Sequence, residues 1–171
     1  FFENSGPQDD FNIIFSERGL ESPHGERILR TKKHIQDVIF MVTYGDGVAD
    51  IDLDKLMQFH KANNRLVTIS GFQPHHRFGI VEHKEGKVTG FKEKPRMQDV
   101  VNCGFMIFEK EALKYFTGED LMLEDMLPKI AADGQIAVYV HTGFWSSMDT
   151  QRDFEELNEL WKTDPKWNIW K

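Results

Sequence analysis

Residues 38–44, VIFMVTY, form an unbroken apolar run that leads into Tyr44-Gly45-Asp46-Gly47-Val48-Ala49-Asp50. This junction limits the possible folds more than any other stretch. A continuous apolar run bounded by turn residues is what a strand covered on both faces requires. After it, Leu53, Leu56, Met57 and His60 recur at three- and four-residue spacing, with Asp52 or Asp54 placed to cap a helix. VTISGF (67–72) reads as a second buried strand. Strand, helix and strand in this order make a βαβ unit, so the two strands are expected to run parallel.

The flanking segments read differently. FNIIF (11–15) suggests a short strand, 16–27 a polar loop, and ILRTKKHI (28–35) a helix through Ile28, Thr31 and Ile35. FGIVEHKEGKVTGFKEK (78–94) alternates about a turn-like Glu85-Gly86-Lys87, as an antiparallel hairpin does. VNCGFMIFE (101–109) and IAVYVHTG (136–143) read as strands, and KEALKYF (110–116) as a short helix. A longer helix spans 121–134, closed by Gly134. The last helix, 150–162, sets Phe154, Leu157, Leu160 and Trp161 on one side. The class is α/β, a parallel βαβ piece with an antiparallel, mixed extension.

A chain of 171 residues suits one domain, 1–171, with a sizeable core. Its 40% hydrophobic content, with 14 Phe and 4 Trp, argues against disorder. A net charge of −7 disfavours a nucleic-acid binder, which needs a basic face. The single cysteine, Cys103, excludes an internal disulfide and fits a reducing compartment. No apolar run approaches the ~18 residues of a membrane span, and FFENSGPQDD lacks the marks of a signal peptide. A soluble cytoplasmic protein with no membrane partner is expected.

In open α/β sheets ligands gather at the carboxyl ends of strands. Asp46 sits at such an end, between two glycines that let the backbone approach a ligand closely. It is either turn chemistry or a functional carboxylate. Asp149, in GFWSSMDTQRD, poses the same choice, since it or Thr150 can cap the last helix. Two such aspartates suggest a divalent-metal site, because Mg²⁺ commonly takes one or two carboxylates and completes its shell with water and phosphate oxygens. Lys94, in GFKEKP, offers a compact charge suited to a phosphate. Asn102 offers a hydrogen bond to a sugar hydroxyl, or serves the fold alone.

The order TYGDGVADID, RFG, FKEKP, NCGFMIF, GFWSSMDTQRD resembles the sugar-1-phosphate nucleotidyltransferases over nearly the whole chain. The extended YGDGVAD and the GFW…MDT…RD form resemble the branch that acts on glucose 1-phosphate with CTP. The resemblance implies a Rossmann-like, GT-A-like mixed sheet flanked by helices. It implies transfer of a cytidylyl group from CTP to glucose 1-phosphate, giving CDP-glucose and pyrophosphate by in-line displacement. Asp46 and Asp149 match the two Mg²⁺ ligands, and Gly45 a nucleotide contact. Lys94 matches the lysine that holds the sugar phosphate, with Glu93 and Asn102 as sugar-hydroxyl partners. Ser22 and Arg27 match nucleotide contacts more loosely, because Glu26 stands where the family usually has glycine. His75 and His76 read as solvated loop residues. A homo-oligomer, and a product that feeds bacterial surface polysaccharide, go with the same resemblance.

The family also opens with a Gly-rich GGxGTR loop and a Lys-Pro that cradle the triphosphate, and nothing here matches them. The expectation is therefore the C-terminal two-thirds of a catalytic domain, incomplete for activity alone. Other readings are a different nucleotide or sugar specificity, and a non-catalytic sugar-nucleotide-binding or regulatory relative. A third is a structural module that docks through Trp161, Trp167 and Trp170.

Overall fold

The computed structural model describes residues 13–16, 22–117 and 122–169. Helix α1 (His24–Thr31) tightens into a 3-10 turn over Lys32–His34 and is followed by β1 (Ile39–Val42) and β2 (Gly47–Ala49). Helix α2 (Leu53–Asn63) leads to β3 (Val67–Phe72), the hairpin β4 (Ile80–Lys84) and β5 (Lys87–Lys92), and the long β6 (Val101–Glu109). A 3-10 turn over Lys110–Tyr115, α3 (Leu123–Ala132), β7 (Ile136–His141), β8 (Trp145–Ser147) and α4 (Gln151–Thr163) complete it.

The main sheet has the order β1-β6-β3-β7, with β6 antiparallel to both neighbours and β3 parallel to β7. The expected βαβ pair, β1 and β3, does run in one direction, but β6 is inserted between them. Nine residues long and buried along most of its length, β6 supplies side chains to both faces. Met106 and Phe108 enter a cluster with Val67, Leu123, Met126 and Ile130, which α1 and α3 cover. Ile107 points the other way, onto Ala49, Ile51 and Leu56. The mixed sheet is thus flanked by helices on both faces.

Local chemistry explains the ends of the elements. Asp52 caps α2, its Oδ1 accepting from Lys55 N at 2.9 Å, and Asn64 closes that helix at φ 49°, a left-handed position asparagine tolerates. In the hairpin both central residues, Glu85 and Gly86, have positive φ, the turn that matches strand twist. Gly134 follows α3 at φ 66°.

Four expectations are corrected. The run 38–44 was expected to be covered on both faces, but β1 is an edge strand that leaves Val38 and Met41 exposed. Residues 13–16 form no strand, and 11–12 lie outside the described residues. Ile13, Ile14 and Phe15 stay exposed. Helix α1 begins at His24, inside the stretch read as loop, because Pro23 leads into it and Glu26 pairs with Arg30 one turn on. Finally, Gly47–Ala49 forms a strand before α2, where a direct passage into helix was expected.

His60, expected on the apolar stripe of α2, is 1% exposed. Its Nδ1 lies 2.8 Å from Thr68 Oγ1, while Nε2 makes no hydrogen bond, Glu109 Oε1 being 3.5 Å away. Burial holds this imidazole below the usual histidine range, with Glu109 pulling the other way. The unfolded chain therefore binds a proton that the folded chain refuses, and stability should fall as pH drops below about 6.5. Urea midpoints between about pH 7.5 and pH 5 should show this decline, and His60→Gln should lessen it.

Candidate functional site

The short ribbon β2–β8 builds the site. Gly47 pairs with Ser147, Val48 with Ser146 and Ala49 with Trp145. Just beyond it, Met148 N donates to the Asp46 carbonyl at 2.9 Å. Two chain segments about a hundred residues apart are thereby zipped together, with Asp46 at the start of one and Asp149 at the end of the other. Trp145 Nε1 donates to the Cys103 carbonyl at 3.0 Å and ties the ribbon to β6.

Both aspartates line a cleft of about 410 Å³, within the size range of small-molecule sites. The capping question at Asp149 has a clear answer. Thr150 is the N-cap of α4 in a capping box with Asp153, so Asp149 is not needed there. Asp149 Oδ2 instead accepts from Ser147 Oγ at 2.6 Å. The Asp46 carboxylate takes no hydrogen bond or ion pair from the described residues. Its backbone opens β2 rather than a hairpin turn.

Gly45 and Asn102 share the same cleft. Asn102 Oδ1 accepts from Gly104 N at 2.9 Å, which fixes the amide, and its side chain also interacts with the Tyr44 hydroxyl. Gly104 has φ 85°, and a side chain there would strike the Tyr44 ring. Tyr44, Glu124, Trp145 and His24 also line the cleft, and no role for them was read from the sequence. Burial, with Glu124 and Asp46 nearby, raises the Tyr44 phenol above its usual range, so it remains a neutral hydroxyl. Glu124 carries no signal that separates it from an ordinary first-turn acid of a helix. Cys103 is buried and its thiol is pushed up to about 11, mainly by burial, so it offers no thiolate nucleophile.

The other expected residues lie outside this cleft. Lys94, two residues past β5, has φ 40° and an exposed ammonium 3.9 Å from Glu93 Oε1. The segment 94–97 pairs with 74–76, through His76 N to Pro95 O and Met97 N to Pro74 O, both 2.8 Å. His75 is exposed, as expected, but its Nδ1 lies 2.9 Å from the Lys94 carbonyl. A carbonyl only accepts, so Nδ1 carries the proton. Arg27 Nε donates to the Ser22 carbonyl at 2.8 Å, holding those two together at the start of α1. Of the aromatic tail, Trp167 stacks between Phe144 and Trp161, with centroids 5.7 and 6.2 Å away, so it packs on this chain itself. Trp170 lies outside the described residues.

A divalent cation fits the donor set. Asp46 and Asp149 are hard oxygen donors in one cleft, and among the described residues no three His, Cys, Asp or Glu side chains converge. Two carboxylates plus solvent and phosphate oxygens is the manner of Mg²⁺.

Comparison with known proteins agrees with this architecture. A protein of Bacillus subtilis (strain 168) named "Probable glucose-1-phosphate cytidylyltransferase" is 32% identical over 96% of this chain and 66% of its own length. The glucose-1-phosphate cytidylyltransferase of Salmonella typhimurium is 32% identical over 95% of this chain and 65% of its own. The chain thus spans about two-thirds of the length of these relatives. A solved Bacillus anthracis structure, a candidate glucose-1-phosphate thymidylyltransferase in complex with sucrose, shares the fold. Its TM-score is 0.67, at 14% identity over 90% of this chain and 65% of that one. Residues 15–164 match the nucleotidyl transferase family, and the chain belongs to it.

Proposed function

We propose that the protein transfers a cytidylyl group from CTP to glucose 1-phosphate, releasing pyrophosphate and giving CDP-glucose. The observation that carries this reading is the meeting of Asp46 and Asp149 in one cleft, neither of them spent on a turn or a helix cap. The choice of cytosine and glucose is supported by the relatives named above. This chain is then the metal- and sugar-side part of a nucleotidyltransferase catalytic domain.

Asp46 and Asp149 hold Mg²⁺ in this reading. When bound, it neutralises phosphate charge as the α-phosphorus is attacked. Lys94 supplies a cation for the sugar phosphate, and its place on a paired segment sets where that charge stands. Glu93 and the Asn102 NH₂ group serve the sugar hydroxyls. Gly45, with no side chain, lets the nucleotide approach the backbone, and Ser22 and Arg27 meet it from the start of α1. No side chain needs to become a covalent nucleophile, because the sugar phosphate oxygen attacks directly. A homo-oligomer and a cytoplasmic location, where nucleotide substrates are found, accompany this proposal.

Pyrophosphate release should be measured, on this chain supplied with the family's Gly-rich triphosphate-binding segment, with glucose 1-phosphate and Mg²⁺ against CTP, UTP, dTTP, ATP and GTP in turn. The proposal expects release with CTP and CDP-glucose as product. Preference for another nucleotide would move the protein to another specificity. Sugar-nucleotide binding without release under any condition would favour a non-catalytic relative.

A further inference from the structure

We propose that Asp50 is a positioning residue that fixes the register between Asp46 and Asp149, an inference that rests on the metal-site reading above. Asp50 is the residue after β2, and Phe144 the residue before β8. Phe144 N donates to Asp50 Oδ1 at 2.6 Å, and Asp50 N donates back to the Phe144 carbonyl at 3.2 Å. The same Oδ1 lies 2.8 Å from Nε2 of His141, the last residue of β7, and this nitrogen is also 3.0 Å from the Phe144 carbonyl. Carboxylate and carbonyl both accept, so Nε2 carries the proton and donates. His141 is 8% exposed. One carboxylate thereby joins the main sheet to the end of the ribbon.

Gly143 makes this possible. A side-chain carbon at that position would collide with the Asp50 carboxylate. Substitution of Gly143 therefore tests the same device from the opposite side.

The ribbon needs such an anchor. It has three residue pairs, and a two-stranded ribbon is marginal by itself. A slip of one residue would turn every side chain of the slipped strand to the other face and part the two carboxylates. The Met148–Asp46 hydrogen bond holds the site end and Trp145–Cys103 the middle. Asp50 holds the far end, four residues from Asp46.

The test combines Mn²⁺ titration, followed by the electron-spin signal of the free ion, with amide hydrogen exchange at Met148. Asp50→Ala should weaken Mn²⁺ binding about tenfold, in the range found for residues that orient metal ligands. It should also speed Met148 exchange while the amides of β3 and β6 keep their protection. Gly143→Ala should do the same. Asp50→Asn keeps the Oδ1 acceptor and should restore most of both properties, a rescue that a need for charge alone would not give. Wild-type Mn²⁺ affinity in Asp50→Ala, where Asp46→Ala does lose it, would overturn the proposal, whatever happens to Met148. If Asp46→Ala leaves Mn²⁺ binding intact, the metal reading falls instead. Met148 exchange in Asp50→Ala then decides the clamp: faster exchange upholds it, and unchanged exchange overturns it.

Discussion

Asp46→Asn is expected to lower pyrophosphate release from CTP and glucose 1-phosphate by about 100-fold or more, as loss of a group that stabilises transition-state charge does. Asparagine has nearly the shape of aspartate and keeps one oxygen, so the Met148–Asp46 backbone bond and the β2–β8 pairing have no reason to change. What is lost is the negative charge. Asp149→Asn should act alike, since its amide oxygen can still accept from Ser147 Oγ and Thr150 still caps α4. On the proposal that the two carboxylates serve one ion, the double variant should be little worse than either single one. Steady-state rates of the chain supplied with the Gly-rich segment, across a Mg²⁺ series and with circular dichroism as the control for folding, check this. Losses that multiply would mean that the two aspartates act separately.

Phe108→Ala should have the largest effect on folding, about 3–5 kcal/mol, set against a total that for most domains is about 5–15 kcal/mol. Phe108 is fully buried on the central strand, with its ring 5.5 Å from Phe40 and 6.2 Å from Phe116. It links β1 to the turn that follows β6. Phe91→Ala is the contrast. That ring is 63% exposed on the hairpin, so the change should stay within roughly 0.5 kcal/mol. Urea unfolding of the two variants beside the wild type gives both numbers.

Much of the fold was legible because its signals are local. The runs 67–72 and 101–109 and the stripe on α2 announce themselves through burial. The apolar run 38–44 marks a strand but overstates its cover, since β1 is an edge strand with no buried residue. The Glu85-Gly86 turn has positive φ at two positions, of which Gly86 reveals one by its residue type. Insertion of β6 between β1 and β3 was not legible, since strand order depends on long-range packing that no window contains. The ribbon β2–β8 escaped for a related reason. Three residues give too short an alternation to read, and the partners lie about a hundred positions apart. Of the expected site residues, Asp46, Gly45, Asn102 and Asp149 come together in the cleft. Glu93, Lys94, Ser22 and Arg27 stand outside it. Asp50 and His141 carried no signal at all, because a side chain that braces a ribbon has no spacing rule. Thr150 in place of Asp149 as the helix cap became decidable only from hydrogen bonds to Asp153.

The central claim is that Asp46 and Asp149 form one cation site facing a sugar nucleotide. Calorimetric titration of CDP-glucose into the protein, with Mg²⁺ and again with a chelator, tests it most directly. The account predicts binding that needs Mg²⁺ and is lost in both Asp46→Asn and Asp149→Asn. Binding of equal strength with the chelator present, and in both variants, would contradict it.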